Sequence, residues 1–419
     1  MKFVSTRDKE GKKYSFTEAA LKGLAPDGGL FIPEEIPSLS DEYTQEKGLA
    51  YEAYTILKPF FSGDESEGDL LSICKKAFSF PLSMHSDGGK DTLELYYGPT
   101  CSFKDFGARF LAFLMDGALK RRGERKTILV ATSGDTGSAV ASAFYETEML
   151  DVKLLFPKDG VSGRQRSQLT CWDGEKVSSF EVEGTFDDCQ KMVKDAFMDA
   201  RYSSSLSSAN SINIGRLMPQ MIYYVHSSFL YEAKYGVKPV VIVPSGNVGN
   251  VTACYYAKAM GAPIGKIVIA TNANRSIEDY IASGKFTPRK SIHTLANAMD
   301  VGAPSNMERL FAFYPEYDEF KKNVKAYYAM DDKIRQTIKE VWEEKGYVIC
   351  PHTACGEFVR RNWYKDDPTI VVATAHPAKF ETIVEPLVGK SVAVPESLYS
   401  MLGKEENVKT ISPDYTKLF

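Results

Sequence analysis

The sequence predicts an α/β protein of two lobes with an additional amino-terminal unit, on three observations. Short β-branched runs alternate with longer amphipathic stretches, the pattern of parallel strands joined by crossover helices. Two of those strands run straight into Gly/Ser/Thr/Asn loops that open helices. The 419 residues, 43% hydrophobic and 25% charged, exceed one compact module and suffice for more than one core. The 51 Lys plus Arg against 55 Asp plus Glu leave a formal net charge of -4, without the basic stripe that gathers a nucleic-acid backbone. A small-molecule substrate is expected, with no nucleic acid and no membrane. No apolar run approaches the roughly 20 residues that cross a bilayer, and MKFVSTRDKEGKK lacks the apolar core of a signal peptide. A cytoplasmic protein is predicted; monomer and homodimer both stay open.

Taken in order, residues 1–90 are read as the amino-terminal unit, with turn-rich DGGLFIPEEIP at 27–37 and a polar linker, HSDGGK, at 85–90. Residues 91–419 supply the two lobes, divided roughly into 91–235 and 236–419. β-Branched runs predict strands over 126–131, 152–156, 177–182, 239–243, 266–270, 347–350 and 369–373. Apolar residues at three-to-four spacing predict helices over 187–202, 215–235, 251–260 and 332–345. Seven cysteines form no CxxC pair and, being odd in number and scattered, no disulfide framework. Cys350, His352 and Cys355 are the one tempting metal cluster, but a structural zinc needs a second tight ligand pair. No metal is predicted.

The two loops lie in ILVATSGDTGSAVASAF, at 133–138, and VVIVPSGNVGNVTACYYA, at 245–250. At such junctions glycine admits a ligand to the backbone, and the free N–H groups of the first helical turn suit an anion. Singly, either loop is as well explained by turn and cap chemistry. Two of them with different polar residues favour a ligand. Neither has dinucleotide GxGxxG spacing. Gly389-Lys390-Ser391 ends like a phosphate-binding loop, but Val384 stands where that loop needs glycine. In YGPTCSFKDFGARF, at 97–110, Lys104 follows a turn and precedes small residues. A surface pair with Asp105 is one reading; a reactive amine beside space for a flat ligand is the other.

Ser102-Phe103-Lys104-Asp105 resembles the pyridoxal-phosphate attachment motif of fold-type II (tryptophan synthase beta-like) enzymes. The whole chain resembles the threonine synthases, lyases that turn O-phosphohomoserine into threonine and phosphate in the last step of threonine biosynthesis. GLAPDGGLFIPEEIP is similar to that family's opening segment, and GPTCSFKDFGARF, ATSGDTGSAVA, NSINIGRLMPQ, PSGNVGN, NAMDVGAPSN and ATAHPAKF follow in the family's order. The resemblance implies that Lys104 is the catalytic, cofactor-attaching lysine. It implies that Gly246, Asn247, Val248, Gly249 and Asn250 wrap the cofactor phosphate, and that Thr374 partners the pyridine nitrogen. A hydroxyl there, in place of a carboxylate, leaves that nitrogen largely unprotonated. Asp135 is implied beside the cofactor's phenolic oxygen, where many fold-type II relatives carry Asn, and Ser133 and Thr136 beside the substrate. Ser211, Asn213 and Arg216 are candidates for the substrate phosphate, because a guanidinium fork with neutral donors fits an anionic ester; a helix-end ion pair is the other reading of Arg216. His352 and His376 border the predicted site, and for each a structural hydrogen-bonding histidine is favoured over a general base. The alternatives are a serine or threonine dehydratase, a threonine synthase-like phospho-lyase, or a catalytically silent ligand-binding relative. Against the last stand an intact Lys104 and both loops.

Overall fold

Strands that carry apolar side chains on both faces have to be sandwiched between helices. The runs Val240–Pro244 and Thr369–Ala373 meet that condition, being buried at every position. The computed structural model describes residues 1–158 and 160–419. In chain order its strands are β1 (Phe3–Ser5), β2 (Phe31–Pro33), β3 (Ser83–His85), β4 (Lys90–Glu94), β5 (Lys126–Ala131), β6 (Leu150–Pro157), β7 (Val177–Val182), β8 (Leu206–Ser207), β9 (Val240–Pro244), β10 (Ile267–Thr271), β11 (Lys325–Tyr328), β12 (Thr369–Ala373) and β13 (Val408–Ile411).

One lobe is built on a six-stranded sheet of order β11-β10-β9-β12-β4-β3, parallel except for the antiparallel β3–β4 pair. The other carries a five-stranded sheet, β13-β7-β6-β5-β8, parallel throughout. In the first sheet Ala373 pairs with Glu94 and Val371 with Ile242, so the loops that follow β9 and β12 leave from one edge. Crevices outside the carboxyl ends of parallel strands are where such sheets receive ligands. The amino-terminal unit contributes the β1–β2 ribbon. Its Phe16 and Phe61 meet Phe110 edge-on, at ring centroids 6.3 and 6.2 Å apart. That unit thus shares a core with the helix Lys104–Arg122.

Several expectations are corrected. Residues 347–350 form no strand: the place beside β12 is taken by β4, and Cys350 caps the helix Pro351–Trp363 by accepting from the Thr353 N–H. The stretch 85–90 is the turn of the β3–β4 hairpin instead of a linker, with Gly88 and Gly89 at positive φ. The helix expected over 215–235 is interrupted at Pro219, which has no N–H to donate; it becomes Ile214–Leu217, a tight turn Met218–Gln220, and Met221–Tyr235. The lobes also exchange strands, since β4 joins the sheet of β9–β12 and the carboxy-terminal β13 joins that of β5–β8.

Candidate active site

Lys104 opens its helix at the end of a loop stitched to the strand edge after β12. The Phe103 N–H donates to the Thr374 carbonyl at 2.9 Å, the His376 N–H to the Cys101 carbonyl at 3.0 Å, and Ser102 bridges Ala375. Asp105 is buried and turned inward, accepting the Thr100 N–H at 2.9 Å and its hydroxyl at 2.6 Å. It therefore braces the loop and forms no surface pair with Lys104. One turn on, Gly107 lets the helix touch the Arg216 backbone, where any side chain would run into that carbonyl. Lys104 stays half-buried, yet its surroundings push the amine down to about 8: burial acts first, Arg216 and Lys379 reinforce it, and Asp135 opposes.

Asp135 begins the helix Asp135–Tyr145 that follows β5. Thr132 secures that junction, its hydroxyl accepting the N–H groups of Gly134 and Gly137 at 3.0 and 2.8 Å. The Asp135 carboxylate is buried and receives Lys379 Nζ at 2.8 Å and Gln165 Nε2 at 3.1 Å. Burial would raise its pKa, but the charges of Lys379 and Lys104 outweigh that and hold it well below the usual carboxylate range. Ser133 and Thr136 flank it, both half-buried.

The second junction follows β9. Val248 adopts a left-handed conformation at φ 64°, which costs a β-branched residue roughly 1–2 kcal/mol. Among the described residues only Cys101, on the approach to Lys104, also has positive φ without being glycine. The helix Gly249–Ala259 has no side-chain cap, so its first-turn N–H groups stay available to a ligand. Asn247 is spent on structure, with Nδ2 donating to Ser211 Oγ at 2.5 Å and Oδ1 accepting from the Ser305 N–H at 2.5 Å; only its backbone can join an anion cup. Asn306 holds the Asn247 carbonyl at 2.9 Å. Arg309, wholly buried, donates to Asn306 Oδ1, to the Phe31 carbonyl of β2 and to the Ile212 carbonyl.

Whether these residues suit a phosphorylated cofactor is answered by their unpaired atoms. Ser102 Oγ, Arg216 Nε and Asn250 Nδ2 are buried without a hydrogen-bond partner, and all three can donate. Asn250 is pre-aimed, because the hydroxyls of Tyr223 and Tyr224 both donate to its Oδ1, at 2.6 and 2.7 Å, and leave its amide N–H groups free. Idle buried donors beside an amine of lowered pKa and an uncapped helix end fit pyridoxal phosphate and an anionic substrate. Thr374, buried at the end of β12, lies across from the Lys104 loop.

The structure separates the expected phosphate ligands. Arg216 has no carboxylate partner among the described residues; one guanidinium N–H goes to the Ala209 carbonyl at 2.6 Å and Nε is idle, so the helix-end ion pair is not formed. Asn213 is instead a structural residue. Its Oδ1 caps the Gly215 N–H at 2.9 Å, and its Nδ2 donates to the carbonyls of Ala20 and Ser208 at 2.8 and 3.0 Å, leaving no donor for a ligand. His352 Nε2 accepts from the Ala298 N–H at 3.1 Å, and His376 Nδ1 from the Ala378 N–H at 3.2 Å. Burial pushes both down to about 4, so they stay neutral hydrogen-bonding residues near pH 7. Sequence reasoning missed Lys379 and Gln165. Lys379 stands inside ATAHPAKF, but nothing local announces that its amine is buried; Gln165 carries no signal at all.

Family models match three stretches: the pyridoxal-phosphate dependent enzymes over residues 93–374, the threonine synthase N terminus over 2–78 and the threonine synthase C-terminal region over 353–418. The threonine synthase of Haemophilus influenzae is 38% identical over 393 residues, 92% of this chain and 91% of that protein. That of Escherichia coli is 36% identical over 410 residues, covering 95% and 94%. The crystal structure of pyridoxal-phosphate-bound threonine synthase from Brucella melitensis superposes with a TM-score of 0.89 at 34% identity, covering 100% of this chain and 98% of that one.

Proposed function

The chain belongs to the threonine synthase family of pyridoxal-phosphate-dependent enzymes, and on that premise we propose that it converts O-phospho-L-homoserine and water into L-threonine and phosphate. Pyridoxal phosphate, when bound, supplies an aldehyde that condenses with amines and a ring that delocalises the electrons of bonds broken beside it. Lys104 would hold the aldehyde in the resting enzyme, with Gly246, Val248, Gly249 and Asn250 offering N–H groups to the phosphate and Thr374 its hydroxyl to the ring nitrogen.

Once the substrate's amine takes its place, Lys104 Nζ is free to move protons. An amine titrating near 8 is neutral in a useful fraction of molecules at physiological pH, which an ordinary lysine is not. It removes the α proton and then a β proton; phosphate departs from the γ carbon and a proton returns there, and water then adds its hydroxyl at the β carbon while a proton returns to the α carbon. Arg216, with its idle Nε, is suited to the departing phosphate, with Ser211 at the rim. Ser133 and Thr136, half-buried on either side of Asp135, would contact the substrate. Asp135, held ionised, stabilises positive charge and does not donate a proton. The lobes meeting around Lys104 keep bulk water from intercepting the chemistry. The reading includes a cytoplasmic location, in keeping with seven cysteines that are all free thiols.

The observation that carries it is the lowered pKa of a half-buried Lys104 beside idle buried donors. The test is an assay on O-phosphohomoserine that scores phosphate and threonine together. Equal amounts of both are expected. Phosphate with 2-oxobutyrate in place of threonine would move the protein to the dehydratase reading.

A further inference from the structure

Among the described residues Lys379 is the one buried lysine, with no exposed surface. It sits in the short turn Pro377–Phe380 after β12, which His376 caps. Its ammonium lies 2.8 Å from Asp135 Oδ1 and 2.8 Å from the Thr100 carbonyl. One side chain of the six-stranded lobe thereby joins the helix that follows β5 in the other lobe to the loop that delivers Lys104. The helix Gly163–Thr170 fastens both ends of the pair. Gln165 donates to Asp135, Arg164 donates to the Ala378 carbonyl at 2.6 Å, and Ser162 donates to the Lys379 carbonyl at 3.0 Å. A buried ion pair is a poor way to gain stability, since apolar residues of similar size often do as well. Its charge must serve something else.

We propose that Lys379 is a positioning residue which, by neutralising Asp135, sets how readily Lys104 gives up its proton. In a buried space the count of charges decides. With Lys379 present, Asp135 is already compensated, so a proton on Lys104 leaves a net positive charge and is disfavoured. Without Lys379, the Asp135 charge would favour a protonated Lys104 and the neutral amine would leave the carboxylate uncompensated, so the proton would be retained. Other groups facing Lys104 do not reverse this balance. Arg216 adds positive charge; Asp105 is occupied by Thr100; His352, His376 and the Cys101 thiol are neutral near pH 7.

The inference rests on Lys104 being the reactive amine, and its test does not need turnover. In full-length protein freed of cofactor, Lys104 is labelled with trinitrobenzenesulfonate across a pH series and quantified by peptide mass spectrometry. The wild-type midpoint is expected near pH 8. Lys379→Met should raise it by about one unit or more, and Asp135→Asn should lower it. Lys379→Arg, which keeps the charge, should stay near wild type. An unmoved midpoint in Lys379→Met, or a shift of the same size in Lys379→Arg, would overturn the proposal. Should Lys379→Met fail to fold by circular dichroism, Asp135→Asn decides: a lowered midpoint supports the proposal and an unmoved or raised one overturns it. Spectral titration of wild type and Lys104→Ala with pyridoxal phosphate tests the underlying cofactor reading separately.

Discussion

At the junction after β5, the loop leads into a helix whose first residue, Asp135, is locked to Lys379. At the junction after β9, it leads into a helix whose second residue, Asn250, is held by two tyrosine hydroxyls and carries no charge. Burial pushes both hydroxyls well above their ordinary value, so they stay donors. A carboxylate after β9 would repel a phosphate, whereas neutral donors and helix N–H groups receive one. A neutral amide after β5 would leave Lys379 unpaired and the Lys104 proton poorly controlled. On the proposed reading the same strand-loop-helix plan would serve an amine end and a phosphate end, and the partners brought from elsewhere in the chain would decide which.

Variants can pull the two ends apart. Lys104→Ala is expected to cut threonine formation by about 10^3-fold or more, because on the proposed reading one group acts as nucleophile and base. Pyridoxal phosphate should still be retained at the phosphate end, as measured by equilibrium dialysis. Activity within tenfold of wild type would remove Lys104 from its role.

Acid should act on His352 and Asp135 in separate windows. An unfolded histidine binds its proton near pH 6.5, but folded His352, whose Nε2 accepts the Ala298 N–H, does so only at about 4. The unfolded state thus holds more protons between those values, and stability falls as pH drops through them, by on the order of 3 kcal/mol. Asp135 has the opposite origin. Its folded pKa lies below the usual carboxylate value, so its contribution is complete above about pH 4 and is lost only below that. Denaturant melts at stepped pH should show His352→Gln flattening the upper window alone.

Gly246→Ala addresses the phosphate end. Its methyl would stand 2.6 Å from the Met299 Cα, which is backbone and cannot step aside. Overpacking of about 1–3 kcal/mol corresponds to a roughly 5- to 150-fold loss of cofactor affinity, read by spectral titration. The pH midpoint of Lys104 labelling should not move; if it does, the two ends are not separable. The smallest effect on turnover is expected from Asn213→Ala, which loses a helix cap and two buried donated hydrogen bonds, together about 2–4 kcal/mol in a thermal melt, while the substrate KM stays within about twofold. A large rise in KM would restore Asn213 as a substrate ligand.

Strands β5, β7 and β12 were legible to the residue, because a β-branched run bounded by turn residues is a local signal. β4 and β11 were not. KDTLE and KAYY carry too few β-branched residues to stand out, and they become strands because the sheet has open places beside β12 and β10. The expected strand at 347–350 does not form, and its last residue, Cys350, is instead the cap of the helix Pro351–Trp363. Within the site, the loops and Lys104 could be read from contiguous residues. Asn213 reads as a phosphate ligand because its string names the residue type and not its partners, which include a carbonyl of the amino-terminal unit. Lys379 was overlooked because a lysine reads as surface until its burial is known.

By itself, the sequence determined the α/β class, the two strand-loop-helix junctions and the lysine between turn and helix. These are written in runs of neighbouring residues whose periodicity and turn chemistry act locally. Only the tertiary structure decided which distant groups meet there: Lys379 with Asp135, Asn250 with Tyr223 and Tyr224, Arg309 with β2. Those meetings follow from which strand fills which place in a sheet, and they set the burial and charge on which the pKa of Lys104 depends.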